Sequence, residues 1–299
     1  MTKERKSLYR RFVPKFIRKA INDHEIKNTI LSYYENQPKD SITDEESEAL
    51  SYLKNNKICV FPYAFQHQYK PADILVYNDD KLKLKYILFE GKRLYFKRTS
   101  SFRGIRRNYN ALLIEQDENS PHRYLTNSFN LNENDILVDV GAAEGNLPLE
   151  VIEKVKKVYL FETNEKWIEA LEATFAPWKD KVVIVNKFVS DINDANHVSL
   201  DEFFKDKEAF TFLKVDAEGA EACILKGANG SLSSNRDMRI ALCCYHKPND
   251  ATEFDKHLNE MGFSNTFAKG FMIFDEPKTF SPPYLRKGIL RGVKNTAKG

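Results

Sequence analysis

The segment D-V-G-A-A-E-G (139–145) ends the apolar run ILVDV (136–140) and opens a helical pattern. Gly141 permits a sharp strand-to-helix turn, and Gly145 lets a ligand approach the backbone closely. The helix start beyond them offers unpaired N–H groups. In dinucleotide folds a pyrophosphate occupies that place. Here Asp139 and Glu144 make the loop acidic, which suits a ligand carrying an ammonium group. Phe161-Glu162 closes the next strand pattern, and a carboxylate there can accept both hydroxyls of a ribose. A ribose joined to an amino acid is S-adenosylmethionine. NAD is the competing ligand, but it goes with G-x-G-x-x-G, and the glycines here stand at 141 and 145 only. A plainer alternative is that both glycines merely cap and pack a helix. The expected donor set is Asp139, Gly141, Ala142, Glu144, Gly145 and Glu162. V-S-D (189–191) adds Ser190 or Asp191 near the adenine.

A second group lies in F-L-K-V-D-A-E-G-A-E (212–221). Ligands of open α/β sheets sit outside the carboxyl ends of the strands, so Asp216, Glu218 and Glu221 cluster at the reacting centre, with Asp216 touching the donor as well. His246 follows the fifth strand and titrates near neutrality, which suits a general base; the alternative is a hydrogen-bonded structural histidine. Asp216, Glu218 and His246 could instead hold a divalent ion, although oxygen and imidazole ligands do not select one metal. E-G-A-E also opens a helix, so helix-end charge accounts for at least one of the two glutamates. His122, Arg123 and Tyr124 either line the acceptor pocket or simply connect two elements. Cys243 and Cys244 fall on opposite faces of a strand and read as packing residues.

The elements that must position these residues follow two rhythms. Residues 1–56 read as a basic helical segment, with Leu8, Phe12, Phe16 and Ala20 on an apolar stripe and a second helix opening at Thr43. Residues 57–134 read as a β-rich accessory or substrate region with KICVFPYAF, ADILVYN, LKYILF and RLYFKR as strands and a tight turn at Glu90-Gly91. From 135 to 276 strands alternate with helices, which predicts a mostly parallel sheet covered on both faces. FSNTFAKGFMIFD (263–275) is expected to close it as a hairpin, and 277–299 to form a basic tail.

DVGAAEG, F-E, SLDEFF (199–204), KVDAEGAEACILKGA (214–228) and C-Y-H-K-P-N-D (244–250) resemble the FkbM-type methyltransferases over about 135–275. The resemblance implies an α/β, Rossmann-like class I methyltransferase sheet, here with an N-terminal α+β accessory region. It also implies S-adenosylmethionine as donor, S-adenosylhomocysteine as product, and methylation of a hydroxyl on a saccharide, glycolipid or other small molecule. Residues 1–134 lie outside the resemblance and look like an accessory region of the kind found in surface-polysaccharide gene clusters.

Composition narrows the alternatives. The chain has 299 residues, 42% hydrophobic and 30% charged, and four cysteines without a C-x-x-C pair. A disordered chain is excluded, neither a zinc site nor a disulfide framework is indicated, and a reducing cytoplasmic setting is expected. Charge is uneven: residues 1–19 hold eight Lys/Arg against one Glu, and 285–299 hold five with no acid. The body between is acidic, which argues against a nucleic-acid groove. Ser281-Pro282-Pro283-Tyr284 matches a motif of amino-methylating nucleic-acid enzymes, but it follows the last strand, where it reads as a connector. The basic ends suit either peripheral contact with the inner face of an anionic membrane or a homodimer contact. A Rossmann-like module that binds a nucleoside without turnover is the non-enzymatic alternative.

Overall fold

The computed structural model describes residues 15–234 and 237–294, with residues 15–20 described by their backbone alone. The stripe positions Leu8, Phe12, Phe16 and Ala20 therefore lie outside the described side chains. Helix α1 (Lys15–Glu35) and helix α2 (Asp44–Asn55) form a pair. A capping box starts α2: Thr43 Oγ1 accepts from Glu46 N at 3.2 Å, and Thr43 N donates to Glu46 Oε2 at 2.9 Å. Ile30, Tyr34, Ala49 and Leu53 form a buried cluster with Phe271, Ile273 and Leu285, far along the chain. No helix among the described residues is long and apolar enough to cross a membrane.

Three antiparallel strands follow, β1 (Tyr77–Asp79), β2 (Leu84–Phe89) and β3 (Lys92–Phe96). Glu90 and Gly91 both have positive φ, 49° and 81°, as a two-residue hairpin turn with right-handed strand twist requires. The two strands expected upstream largely do not form. In 57–65, Pro62 cannot donate to a ladder, and the Gln66 side-chain amide donates to the Phe61 and Tyr63 carbonyls at 2.6 and 3.0 Å. These carbonyls are satisfied locally, and Ala64–Gln68 turns into a 3₁₀ helix. In 72–78 only Tyr77 and Asn78 join a strand, after a 3₁₀ turn at Pro71–Asp73. Helix α3 (Phe102–Glu115) starts at Ser101, whose hydroxyl accepts from Gly104 N.

The α/β part runs β4 (Ile136–Val140), α4 (Asn146–Val151), β5 (Lys157–Phe161), α5 (Glu165–Phe175) and β6 (Val182–Val185). Next come the short pair β7 (Phe188–Val189) and β8 (His197–Val198), then α6 (Leu200–Phe204), capped by Ser199. β9 (Phe212–Val215), α7 (Glu221–Gly227), α8 (Asn229–Ser234), β10 (Met238–Cys243) and α9 (Asp250–Glu260) continue the alternation. The remaining strands are β11 (Ser264–Phe267), β12 (Met272–Ile273), β13 (Leu285–Arg286) and β14 (Ile289–Lys294). The central sheet has the order β11-β14-β10-β9-β4-β5-β6. β10, β9, β4, β5 and β6 are parallel, and β14 is antiparallel to both its neighbours. All five residues of β4 are buried, as a strand covered on both faces requires. The strand order reverses between β4 and β9, which opens a crevice at their carboxyl ends.

Two expectations about the C-terminal part are corrected. Residues 263–275 do not close on themselves: β11 pairs with β14, and β12 pairs with β13 on the N-terminal helices. Residues 285–294 are not a tail but supply β13 and an interior strand of the sheet. Ile289 and Leu290 are fully buried there, and Arg291 is buried with its guanidinium on the carbonyls of Arg123 and Tyr124. The basic residues of this segment thus serve internal partners.

Candidate active site

The crevice holds a cavity of about 400 Å³ lined by Gly141, Ala143, Glu162, Trp167, Phe188 and Asp216, among others. Gly141 has φ 77°, and a Cβ there would lie 1.9 Å from the Asp216 carbonyl oxygen. Its role is to let β4 and the end of β9 meet. The amides of Gly141 and Ala142 both donate to Phe161 O, at 3.1 and 3.2 Å, which ties the loop to β5; Ala142 itself is buried. Ala143, at φ 45°, turns its N–H onto Glu162 Oε2 at 3.0 Å. Glu162 Oε1 accepts from Thr163 N and Asn164 N at 2.8 and 2.7 Å. The carboxylate is thus held by three amides with lone pairs left for a ligand.

Several residues expected at the donor have protein partners in this structure. Asp139 is 1% exposed and pairs with Lys214 Nζ at 2.9 Å, and the same ammonium donates to Gly141 O at 2.8 Å. Asp139 therefore neutralises an internal cation. Glu144 is buried and accepts from Asn108 Nδ2 at 2.8 Å; burial pushes its carboxyl up, against the pull of Asn108. Gly145 faces protein rather than ligand, because a Cβ there would meet Leu171 and Phe175 of α5 at 2.7 and 2.9 Å. Ser190 Oγ accepts from Ile192 N, and Asp191 pairs with Lys226. The wall at that end is made instead by Lys187, Phe188 and Val189, one to three residues upstream.

A second cavity, of about 760 Å³, shares Gly141, Ala143, Asp216 and Glu218 with the first and adds Tyr245, His246, Lys247, Phe274 and Thr279. Asp216 stands at the junction. Its Oδ2 accepts from Tyr124 OH at 2.9 Å and its Oδ1 from Tyr245 OH at 3.2 Å. Burial alone would raise its pKa; the Lys214 ammonium, with His122, His246 and the Tyr124 hydroxyl, outweighs burial and brings it to about 2. His246 is 4% exposed, with Nδ1 3.0 Å from Glu221 Oε1 and Nε2 3.8 Å from Asp216 Oδ1. Burial pulls its pKa down, but Glu221, then Asp216 and Asp250, push it above the ordinary histidine range.

Glu221, not Glu218, is the glutamate that reaches His246. It opens α7, is 1% exposed, and its Oε1 also accepts from Ala217 N and Gly219 N at 2.9 and 3.3 Å. Glu218, at φ 48°, is exposed at the rim of both cavities. The set Asp216, Glu218 and His246 is therefore not gathered on one ion position; among the described residues two other sets bring their ligand atoms within 4.8 Å of one another, Asp216 with Glu221 and His246, and Asp216 with His122 and Cys243. His122 and Tyr124 are more than a connector. Burial lowers the pKa of His122 to about 4, and its Nε2 lies 3.3 Å from Tyr245 OH. Glu115, at the end of α3, went unread in the sequence; burial and the charges of Asp216 and Glu144 bring its pKa to about 8.

The chain has a Rossmann-like sheet of the class I methyltransferase type, with two adjoining cavities in its crevice. It belongs to the FkbM family: the methyltransferase FkbM domain model matches residues 95–265. No curated protein matches the chain. Among solved structures it is similar to a methyltransferase FkbM from Methylobacillus flagellatus KT, at 15% identity and a TM-score of 0.44. That match covers 64% of this chain and 53% of the other, so the chain spans about half that protein's length. An rRNA methylase from Streptococcus thermophilus is similar at 17% identity and a TM-score of 0.40, over 56% of this chain and 90% of the other. Trm5b from Pyrococcus abyssi is similar at 13% identity and a TM-score of 0.42, over 73% and 57%.

The donor cavity fits a nucleoside that carries an amino acid. An anchored carboxylate, Glu162, faces it beside aromatic and aliphatic walls, and its volume falls in the range usual for ligand sites. Glu162→Ala is expected to weaken S-adenosylmethionine binding about 10- to 100-fold, the loss for hydrogen bonds to a charged acceptor. Calorimetric titration checks it, and unchanged affinity would remove Glu162 from the donor site.

Proposed function

We propose that the chain transfers a methyl group to a hydroxyl of a saccharide-type acceptor bound in the larger cavity. The observation that carries this reading is that Asp216, which lines both cavities, lies 3.8 Å from Nε2 of His246, which lines the larger one. The larger cavity mixes carboxylates, Lys247, Lys278 and the Thr279 hydroxyl with the Phe274 ring, which packs edge-on to His246 at 5.4 Å. Polar groups beside one aromatic face suit a molecule with hydroxyls on its edges and C–H groups on its faces.

S-adenosylmethionine would supply a sulfonium-bound methyl, to which an acceptor oxygen can bond in line as the C–S bond breaks and the sulfur departs in the neutral thioether S-adenosylhomocysteine. A sugar hydroxyl is a weak nucleophile, so a base that takes its proton raises the rate. His246 fills that role at Nε2, while Glu221 holds Nδ1 and so fixes which nitrogen faces the acceptor. Asp216 keeps a negative charge at the boundary. The cavity walls hold the acceptor in place, and positioning lowers the barrier further.

The test is transfer of labelled methyl to a panel of saccharide acceptors. Label in an alkali-stable methyl ether is the expected product; label on a nitrogen or in RNA only would overturn the reading. A pH profile tests the roles within it. Only neutral His246 can accept a proton, so activity should rise through a pKa above the usual histidine value. Glu221→Gln removes the anion that most favours the imidazolium, so the acid limb should move to lower pH by about one unit. An unmoved limb would show that His246 is not the titrating base.

A further inference from the structure

The sheet β1–β3 stands outside the seven-stranded sheet, yet Lys97, the residue that leaves β3, forms part of the donor cavity. Its ammonium lies 4.1 Å from the centre of the Trp167 ring, near the start of α5, and Trp167 is another wall of that cavity. The backbone around Lys97 is fixed. Tyr95 N donates to Thr174 Oγ1 at 3.0 Å, Phe96 packs on Trp167, and Arg98 pairs with Glu169 at 2.6 Å. The lysine is thus presented by a strand docked on α5.

The other lysine that lines this cavity, Lys187, has a partner, as do Lys214 and Lys226. Lys214 pairs with Asp139, Lys226 with Asp191, and Lys187 donates to the Asp194 carbonyl. Lys97 forms no ion pair among the described residues. The carboxylates that face the cavity, Glu162, Asp216 and Glu218, suit the hydroxyls and positive charges of the donor. An unpaired ammonium on the same wall suits a negative charge, and S-adenosylmethionine has one, the carboxylate of its amino-acid portion. Lys97 lies on a half-buried wall, where such a pair is screened less than in open solvent.

We propose that Lys97 binds the carboxylate of the methyl donor, so that the strand docked on α5 selects the intact donor over forms that lack this group. The proposal rests on the donor reading above. The test is calorimetric titration of the full chain with S-adenosylmethionine and with its decarboxylated form, which keeps the amine and the sulfonium. Lys97→Met preserves the aliphatic stem on Trp167 and removes the charge. The variant is expected to bind S-adenosylmethionine about 10-fold more weakly while its affinity for the decarboxylated form is unchanged, and Lys97→Arg should restore most of the loss. Equal weakening of both ligands would overturn the proposal, since Lys97 would then only support the wall. No change in either would overturn it too. Failure of the wild-type chain to bind either ligand would overturn the donor reading itself.

Discussion

His246→Ala should lower kcat by about 10²- to 10⁴-fold, the usual contribution of a positioned general base. Donor affinity should stay the same, because His246 lines the acceptor cavity and not the donor cavity. Pre-steady-state methyl transfer and donor titration on the same preparation separate the two. Loss of donor binding in parallel with kcat would mean that the ring only supports the crevice. Full turnover would leave the two carboxylates that line both cavities, Glu218 and Asp216, to accept the proton. At a pKa of about 2 Asp216 is a poor base near neutrality.

Lys214→Met should be among the most destabilising single changes in the chain. Lys214 is 4% exposed, and its ammonium sits 2.9 Å from Asp139 and 2.8 Å from the Gly141 carbonyl, with the Tyr124 ring beside it. Removing one partner leaves Asp139 buried and uncompensated, which costs about 3–5 kcal/mol. For a domain of this size the melting temperature should fall by roughly 10 °C. The double variant Asp139→Asn with Lys214→Met should recover part of the loss, because the orphaned charge goes too. The Asp216 carboxyl should also titrate higher, since Lys214 is the strongest influence lowering it. A melting point within about 2 °C of the wild type would show that the pair is not load-sharing in the core.

The parts of the molecule legible in the sequence are those set by local patterns. The ILVDV run, the glycine turn after it and Glu162 at the next strand end are neighbours in chain and in space, so spacing alone placed them at one crevice. The choice between Glu218 and Glu221 was not legible. Both belong to one helix-opening motif, and the left-handed backbone at Glu218 sends that side chain to the rim while Glu221 turns in on His246. The Asp139–Lys214 pair joins two strands that meet only once the sheet order is known. An acid in a ligand loop and an acid neutralising a buried lysine read alike in one dimension. The expected hairpin at 263–275 failed for the same reason. A turn signal specifies that the chain reverses, not which strand it returns to, and β11 found β14 instead.

The interior place of β14 also bears on how the sheet assembles. Among the described residues, β10 gains its outer neighbour, and β11 its sole neighbour, from the same stretch, Ile289–Lys294. Until that stretch inserts, two rows of backbone donors and acceptors stand open on facing strands, a template for pairing with another chain. Each of these pairings spans a loop of more than twenty residues, and such long-range closure is slow. The half-built sheet is therefore the species most exposed to self-association. A substitution that slows β14 insertion would lower the yield of native protein while the finished fold stayed as stable as before.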